Sequence, residues 1–246
     1  MGFKELYCFD CIDSSSTFLK QSHLKETPIL CHTNMQTEGR GRQGKIWHSE
    51  FGSNLYFSLK YKLPVAINQC GGLSLIIGLA LIDAIESMLG QQDIKLKWPN
   101  DLWWHDKKLS GILVELFDKH LVIGIGMNVN SIPLPSTPID KPWTSIREIY
   151  QQDIDRQELL IHCIKYIQDY LKLFFEKGLS AFEGKWTNVD ALKFKTVRIL
   201  TGKQDIEGTV MGISPLGNLL VLDRNQKRQE IYSGEITITG VDANYS

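Results

Sequence analysis

The residues best suited to chemistry in this chain lie in three short runs. The first is Gly39-Arg40-Gly41-Arg42-Gln43-Gly44-Lys45-Ile46-Trp47. Its glycines let the backbone approach a ligand closely, and Arg40, Arg42 and Lys45 supply cationic donors for phosphate or carboxylate. The spacing G-x-G-x-x-G invites a dinucleotide-binding reading, which the context refuses. That fingerprint needs a strand before it, a helix after it and an acidic residue about 20 positions on. Here polar residues 34–38 lead in, Gly52-Ser53-Asn54 breaks the chain soon afterwards, and 60–64 offers no carboxylate. The run is an anion-handling loop and not a Rossmann turn.

The second run is Lys97-Trp98-Pro99-Asn100-Asp101, followed by Lys107-Lys108-Leu109-Ser110-Gly111. A strand ends at Trp98 and Pro99 stops it. Asn100-Asp101 then turns outward, where an amide and a carboxylate could meet a ligand or a magnesium ion. By themselves, a plain turn and a solvated lysine pair account for these residues as well. The third run, Gly124-Ile125-Gly126-Met127-Asn128-Val129-Asn130, ends an apolar strand in two asparagines. Asn128 could hydrogen-bond a base or ribose, or simply close a strand-end turn. Trp47 offers a flat face to a purine, although an isolated tryptophan also suits a core. There is no G-x-S-x-G elbow, H-E-x-x-H pair, Walker loop or kinase signature, and six scattered histidines give a metal cage no support.

The elements around these runs must hold them in place. An alternating segment over 6–12 reads as a strand, and Ser14-Ser15-Ser16 can cap a helix over 17–25. A strand over 29–33 delivers the chain to the glycine-arginine loop, and the aromatic segment 55–61 follows it as a strand. Residues 73–89 carry only Asp83 and Glu86 as charges; they are too many for a strand and fit a helix buried on a sheet. Short strands are expected over 94–98, 111–117 and 121–129. Pro133, Pro135, Pro138 and Pro142 mark an irregular loop. Asp155 with Glu158 opens a helix to about 176, with Leu160, Ile164, Ile167, Leu171 and Phe174 at helical spacing. From about 192 the texture changes to short strands over 197–200, 208–210, 219–222 and 235–238. Gly202, Gly212, Gly217 and Gly234 punctuate them at the spacing of a small barrel.

The expected fold class is α/β (α+β), with a catalytic domain over 1–190 and a small all-β domain over 191–246. A chain of 246 residues can bury such a core, and its net charge of -1 argues against a general nucleic-acid or membrane-surface role. No apolar stretch reaches the roughly 18 residues of a membrane span, and residues 1–5 lack the basic region and apolar core expected of a signal peptide. Cys8, Cys11, Cys31, Cys70 and Cys163 are odd in number. Cys8 and Cys11 lie within one predicted strand, where positions i and i+3 face opposite sides, so ordinary cysteines in a reducing cytoplasm are expected.

Taken together and in this order, the runs resemble the motifs of the biotin protein ligase family. The resemblance rests on Gly39-Arg40-Gly41-Arg42-x-Gly44-x-x-Trp47, Lys97-Trp98-Pro99-Asn100-Asp101, Lys108 through Glu115, and Gly124 through Asn128. The Asp13-Ser14 segment and the glycine-spaced end also fit, so it covers nearly the whole chain. It implies a mixed sheet with flanking helices as in class II synthetase-like ligases, followed by an SH3-like β-barrel. Such enzymes join biotin to the α-phosphate of ATP, release pyrophosphate and pass biotin to a lysine of a biotin carboxyl carrier protein.

The resemblance implies roles for particular residues. Arg40, Gly41 and Arg42 would cover biotin and the adenylate phosphate, and Lys108 would hold the reacting carboxylate and phosphate oxygens. Arg42 and Lys108 would be catalytic. Ser14, Ser15, Ser16, Gln36 and Gly111 would contact biotin. Trp47, Asn100, Asn128 and Trp143 would contact the adenosine side, and Asp101 the nucleotide or Mg2+. The family often has Ser-Thr-Asn where this chain has Ser14-Ser15-Ser16, which keeps two hydroxyls and loses an amide. With no room before Phe3 for a helix-turn-helix, DNA binding is not expected; a homodimer is allowed. The alternatives are a lipoate protein ligase, which shares the acyl-adenylate logic, and a non-catalytic adenylate-sensing binder.

Overall fold

The computed structural model describes residues 2–21, 27–66, 69–117, 119–133, 141–201 and 205–241. Seven strands form the main sheet: β1 (Glu5–Phe9), β2 (Ile29–Thr33), β3 (Leu55–Lys62), β4 (Ile94–Lys97), β5 (Asp101–Trp104), β6 (Lys107–Phe117) and β7 (His120–Met127). Their spatial order is β1-β2-β3-β7-β6-β5-β4. Only β1 and β2 pair in parallel. A parallel pair needs a crossover, and helix α1 (Ser15–Gln21) lies within it.

Alternation along the central strands splits the core in two. Leu121, Ile123, Ile125 and Met127 of β7 face one cluster with Leu30, Phe57 and Leu59, while Val122 joins Ile29, Cys31 and Leu19 of α1 on the other face. Helix α2 (Leu73–Leu89) and helix α4 (Arg156–Lys177) cover the first face together. Gly72 starts α2 without a side-chain cap. Burial of residues such as Leu75, Ile76 and Leu81, worth about 1.5–3 kcal/mol each, holds the helix regardless. Asp155 caps α4 by accepting from the Gln157 and Glu158 amides at 2.8 and 3.1 Å. Two further helices, α3 (Ile146–Tyr150) and α5 (Glu183–Val189), connect these layers to the end of the chain.

The remaining strands are β8 (Lys195–Leu200), β9 (Asp205–Ile213), β10 (Leu219–Asp223), β11 (Arg228–Ile231) and β12 (Glu235–Val241), an all-antiparallel sheet in the order β11-β10-β9-β8-β12. This is the small C-terminal SH3-like unit, and it is anchored to the main sheet. Trp98 Nε1 donates to Gly217 O at 2.9 Å, and the Ala191 amide donates to Leu96 O at 3.1 Å. Gly217 has φ +78, and a Cβ there would lie 2.6 Å from Gly72 Cα, so only glycine allows the two backbones to meet.

Several elements differ from the sequence expectation. β1 ends at Phe9, and Cys11 lies beyond it. Helix α1 begins at Ser15; its expected continuation over 22–25 lies outside the described residues, as do Pro135, Pro138 and Gly202. Asp101 opens β5 instead of turning outward, because its backbone pairs with both Lys97 and Gly111. Lys107 through Ser110 extend β6 at its start. Helices α3 and α5 and strand β11 were not expected.

Candidate active site

The site is a cavity of about 580 Å³ between the β5-β6-β7 end of the sheet, the 40–48 loop and the first residues of β12. Its floor is set by Gly111 and Gly126, register partners on β6 and β7. The Trp47 indole lies against them. A Cβ at Gly111 would stand 2.9 Å from Trp47 Cζ3, and one at Gly126 would stand 2.7 Å from Nε1. Any larger residue would displace the ring. Trp47 Nε1 is buried against Gly126 and donates to nothing among the described residues. The Lys108 ammonium sits 5.4 Å from the Trp47 ring centroid.

One end of the cavity is neutral and fully hydrogen-bonded. Ser14, Ser15 and Ser16 are buried at 2, 3 and 5% exposure, placed there by the start of α1. The Ser15 amide and hydroxyl approach Gln36 Oε1 at 2.9 and 3.0 Å, and Ser15 Oγ is 2.8 Å from Ser58 Oγ. Ser14 Oγ and Ser16 Oγ are 3.1 Å apart. Gln36 is fixed by a parallel bridge with Ile12. These groups can donate to and accept from an uncharged polar ring without carrying net charge.

The other end is cationic. The 39–47 run is a tight hairpin: the Trp47 amide donates to Gly39 O at 2.8 Å and the Gly41 amide to Lys45 O at 2.7 Å, with Gln43 and Gly44 at φ 54 and 73. It is followed by β3, so the Rossmann reading fails in structure as in sequence. Arg40 pairs with Glu115 at 2.8 Å, a carboxylate shared with Lys20 at 2.9 Å. Arg42 approaches Asn100 Oδ1 at 3.4 Å, while Asn100 Nδ2 donates to Ile112 O at 2.8 Å. Burial lowers the Arg42 pKa, and the Asp101 charge opposes that shift. Lys108 Nζ lies 2.9 Å from Asp101 Oδ1. Yet that oxygen is buried without a hydrogen bond. The two groups stand at ion-pair distance without hydrogen-bond alignment.

The residues to which the resemblance gave roles line this one cavity: Ser14, Ser15, Ser16 and Gln36 at one end, Arg40, Gly41, Arg42, Trp47 and Lys108 across it, Gly111 in the floor, and Asn100, Asp101, Asn128 and Trp143 at the other end. Asn128 is already engaged, donating from Nδ2 to Thr144 O at 3.0 Å. Trp143 is held by a bridge to Lys108. Lys107 points elsewhere, to Glu148 at 2.6 Å.

The sequence reading missed several lining residues. Glu235 of β12 receives Lys45 at 2.9 Å and Lys141 at 2.5 Å. These two hydrogen bonds hold its carboxyl down to about 2. Lys97 and Trp103 also face the cavity, and burial lowers the Lys97 ammonium to about 8. Only Lys97 carried a signal, since it stands inside a quoted motif; the Glu235 cluster joins three distant segments. Among the described residues no cluster of three or more His, Cys, Asp or Glu could hold a metal by itself.

Comparison with known proteins gives a consistent picture. Residues 8–128 match the model of the biotin/lipoate A/B protein ligase family, and residues 194–238 that of the biotin protein ligase C terminal domain. The bifunctional ligase/repressor BirA of Escherichia coli (strain K12) is 32% identical over 238 residues, covering 94% of this chain and 73% of that protein. A biotin–(acetyl-CoA-carboxylase) ligase of Mycobacterium tuberculosis is 26% identical over 205 residues, covering 82% and 75%. The biotin protein ligase from Aquifex aeolicus in complex with biotin and ATP superposes with a TM-score of 0.85 at 34% identity, covering 97% of this chain and 100% of that one. On the strength of these likenesses, the chain belongs to the biotin protein ligase family.

Proposed function

We propose that this protein activates biotin with ATP and transfers it to a lysine of a biotin carboxyl carrier protein or domain. The observation that carries this reading is a single cavity with a neutral hydroxyl-amide wall at one end and cations at the other. An uncharged ureido ring suits the wall of Ser14, Ser15, Ser16 and Gln36. Biotin's carboxylate then extends over Gly111 toward Lys108 and Arg42.

In the first step a carboxylate oxygen attacks the α-phosphorus of ATP. The new P–O bond forms as the bond to the β-phosphate's bridging oxygen breaks, and pyrophosphate leaves with the electron pair. Two anions must meet, so Arg40, Arg42 and Lys108 offset their repulsion while the cavity fixes their orientation. Trp47, Asn100, Asn128 and Trp143 hold the adenosine side. In the second step the acceptor's neutral ε-amine attacks the acyl carbon of biotinyl-AMP, AMP departs with the electron pair, and the amine loses a proton.

Mg2+ is held by one or two carboxylates plus substrate phosphates, and Asp101, a carboxylate lining the cavity, is the residue that would hold it. The ion would neutralise phosphate charge. The reading extends to a catalytic unit over 1–190 with a barrel over 191–246, to a cytoplasmic setting, and to a homodimer as an allowed assembly. No helix among the described residues is long and apolar enough to cross a membrane.

The test is incubation with ATP and either biotin or lipoate, following the AMP-linked product and then transfer to a carrier domain. Biotinyl-AMP and a biotinylated carrier are expected. Activation of lipoate alone would overturn the substrate, and an adenylate that is never transferred would favour an adenylate-sensing binder.

A further inference from the structure

Four lysines line the cavity, Lys45, Lys97, Lys108 and Lys141. Three of them are matched to carboxylates: Lys45 and Lys141 share Glu235, and Lys108 pairs with Asp101. Lys97 is different. It pairs with no carboxylate and donates no hydrogen bond among the described residues; its ammonium rests 3.9 Å from the centroid of the Trp103 ring. The charge is partly desolvated, which is why its pKa falls to about 8. The Asp101 and Glu235 carboxylates act on it through space without pairing, and a ring face offsets only part of the cost of removing a cation from water, which leaves an anionic ligand as the direct partner.

Its position says which anion. Lys97 is the register partner of Asp101 across the β4–β5 turn, and Asp101 holds Lys108. Lys97 therefore stands beside the group assigned to the reacting carboxylate and α-phosphate, over the ring of Trp103, the register partner of Lys108, and Lys108 and Lys141 are both near enough to repel it. Resting on the ligase reading, we propose that Lys97, with Lys141 beside it, forms the subsite for the β- and γ-phosphates of ATP and holds pyrophosphate as it leaves. As the α–β bond breaks, negative charge accumulates on the departing bridging oxygen and its two phosphates, opposite this ammonium. Lys97 transfers no proton; it supplies fixed charge to the leaving group. The transfer of biotin from biotinyl-AMP to the acceptor makes no use of the subsite.

That asymmetry defines the experiment. In Lys97→Met, the KM for ATP and, in the reverse reaction from biotinyl-AMP, the KM for pyrophosphate are each expected to rise about 10-fold or more, the usual consequence of losing one charge-assisted contact. Transfer from supplied biotinyl-AMP to a carrier domain stays within about twofold, which also reports that the variant is folded, and Lys97→Arg recovers part of the loss. Wild-type protein gives an independent measurement: inorganic pyrophosphate should shield Lys97 from amine acetylation read by mass spectrometry, whereas AMP should not. An unchanged KM for pyrophosphate in a transfer-competent Lys97→Met overturns the proposal. If that variant does not fold, unshielded acetylation in wild type overturns it instead. Failure of wild type to form any biotinyl-AMP would sink the ligase reading, and the pyrophosphate shielding would still judge the subsite.

Discussion

The two ends of the cavity are built on opposite physical plans. At the serine end, Ser14, Ser15, Ser16 and Ser58 are buried and neutral and bond to one another or to Gln36 over short distances. At the cationic end, half-exposed chains such as Lys45 and Lys141 reach across loops to meet Glu235. Buried neutral networks lose heavily when one member is left unpaired, so they specify one geometry. Exposed ion pairs contribute little, on the order of 0–1 kcal/mol, and exchange partners readily. One end thus selects a ligand by shape and hydrogen bonding. On the proposed reading, the other trades protein carboxylates for phosphates as the reaction proceeds.

Substitutions can break this contrast. Lys108→Ala should have the largest effect, lowering biotinyl-AMP formation by about 100-fold or more, because it removes a charge held against the developing negative charge. Single-turnover measurement of AMP-linked product checks this, and a wild-type rate would remove Lys108 from the role. Arg42→Gly follows, with escape of biotinyl-AMP from the enzyme expected to rise about 10-fold or more as a charged phosphate donor is lost. Trapping the released intermediate would read it, and unchanged escape would count against the cover. Ser15→Ala should raise the KM for biotin by about 10-fold, equivalent to roughly 1.4 kcal/mol, by unpairing the Gln36 and Ser58 partners. The KM for ATP should hold; if both constants rise together, the two ends are not independent.

The smallest effect on activity is expected from Asp190→Asn, at the seam between the sheets. Burial pushes the Asp190 carboxyl up to about 6, and its Oδ2 is buried without a partner. A carboxyl raised in the folded state binds more protons folded than unfolded between about pH 4 and 6, so stability falls as pH rises through that window. Asp190→Asn should therefore be more stable than wild type at pH 7.5, by about 1–3 kcal/mol, and lose that advantage toward pH 4. Urea midpoints at the two pH values test it, with both KM values unchanged.

What could be read from the sequence follows the same divide between local and distant causes. Helix α2 and strand β2 fall on the expected residues, since a long run with two charges and a short, largely apolar run bounded by Pro28 and Asn34 each have one comfortable conformation. Strand β5 was hidden because Asn100-Asp101 after a proline looks like a turn; its pairing with β6 is what recruits it. Strand β11, Arg-Gln-Glu-Ile, is polar at three of four positions and owes its existence to β10. Within the cavity, the contiguous motifs carry their own signal, and Lys97 is the motif residue whose place they did not reveal. The meeting of Lys45, Lys141 and Glu235 was not visible, because it depends on three segments folding toward one point.

The hydrogen bond from Trp98 to Gly217 has a practical corollary for dissecting the enzyme. The indole that donates it is buried and belongs to the same turn as Asn100 and Asp101. A chain severed near residue 191 would leave that turn's wall bare on one fragment and the glycine corner bare on the other. Two such fragments, made together, are expected to work only as a reassembled pair, each completing the other, and neither would serve as a portable tag or a minimal ligase.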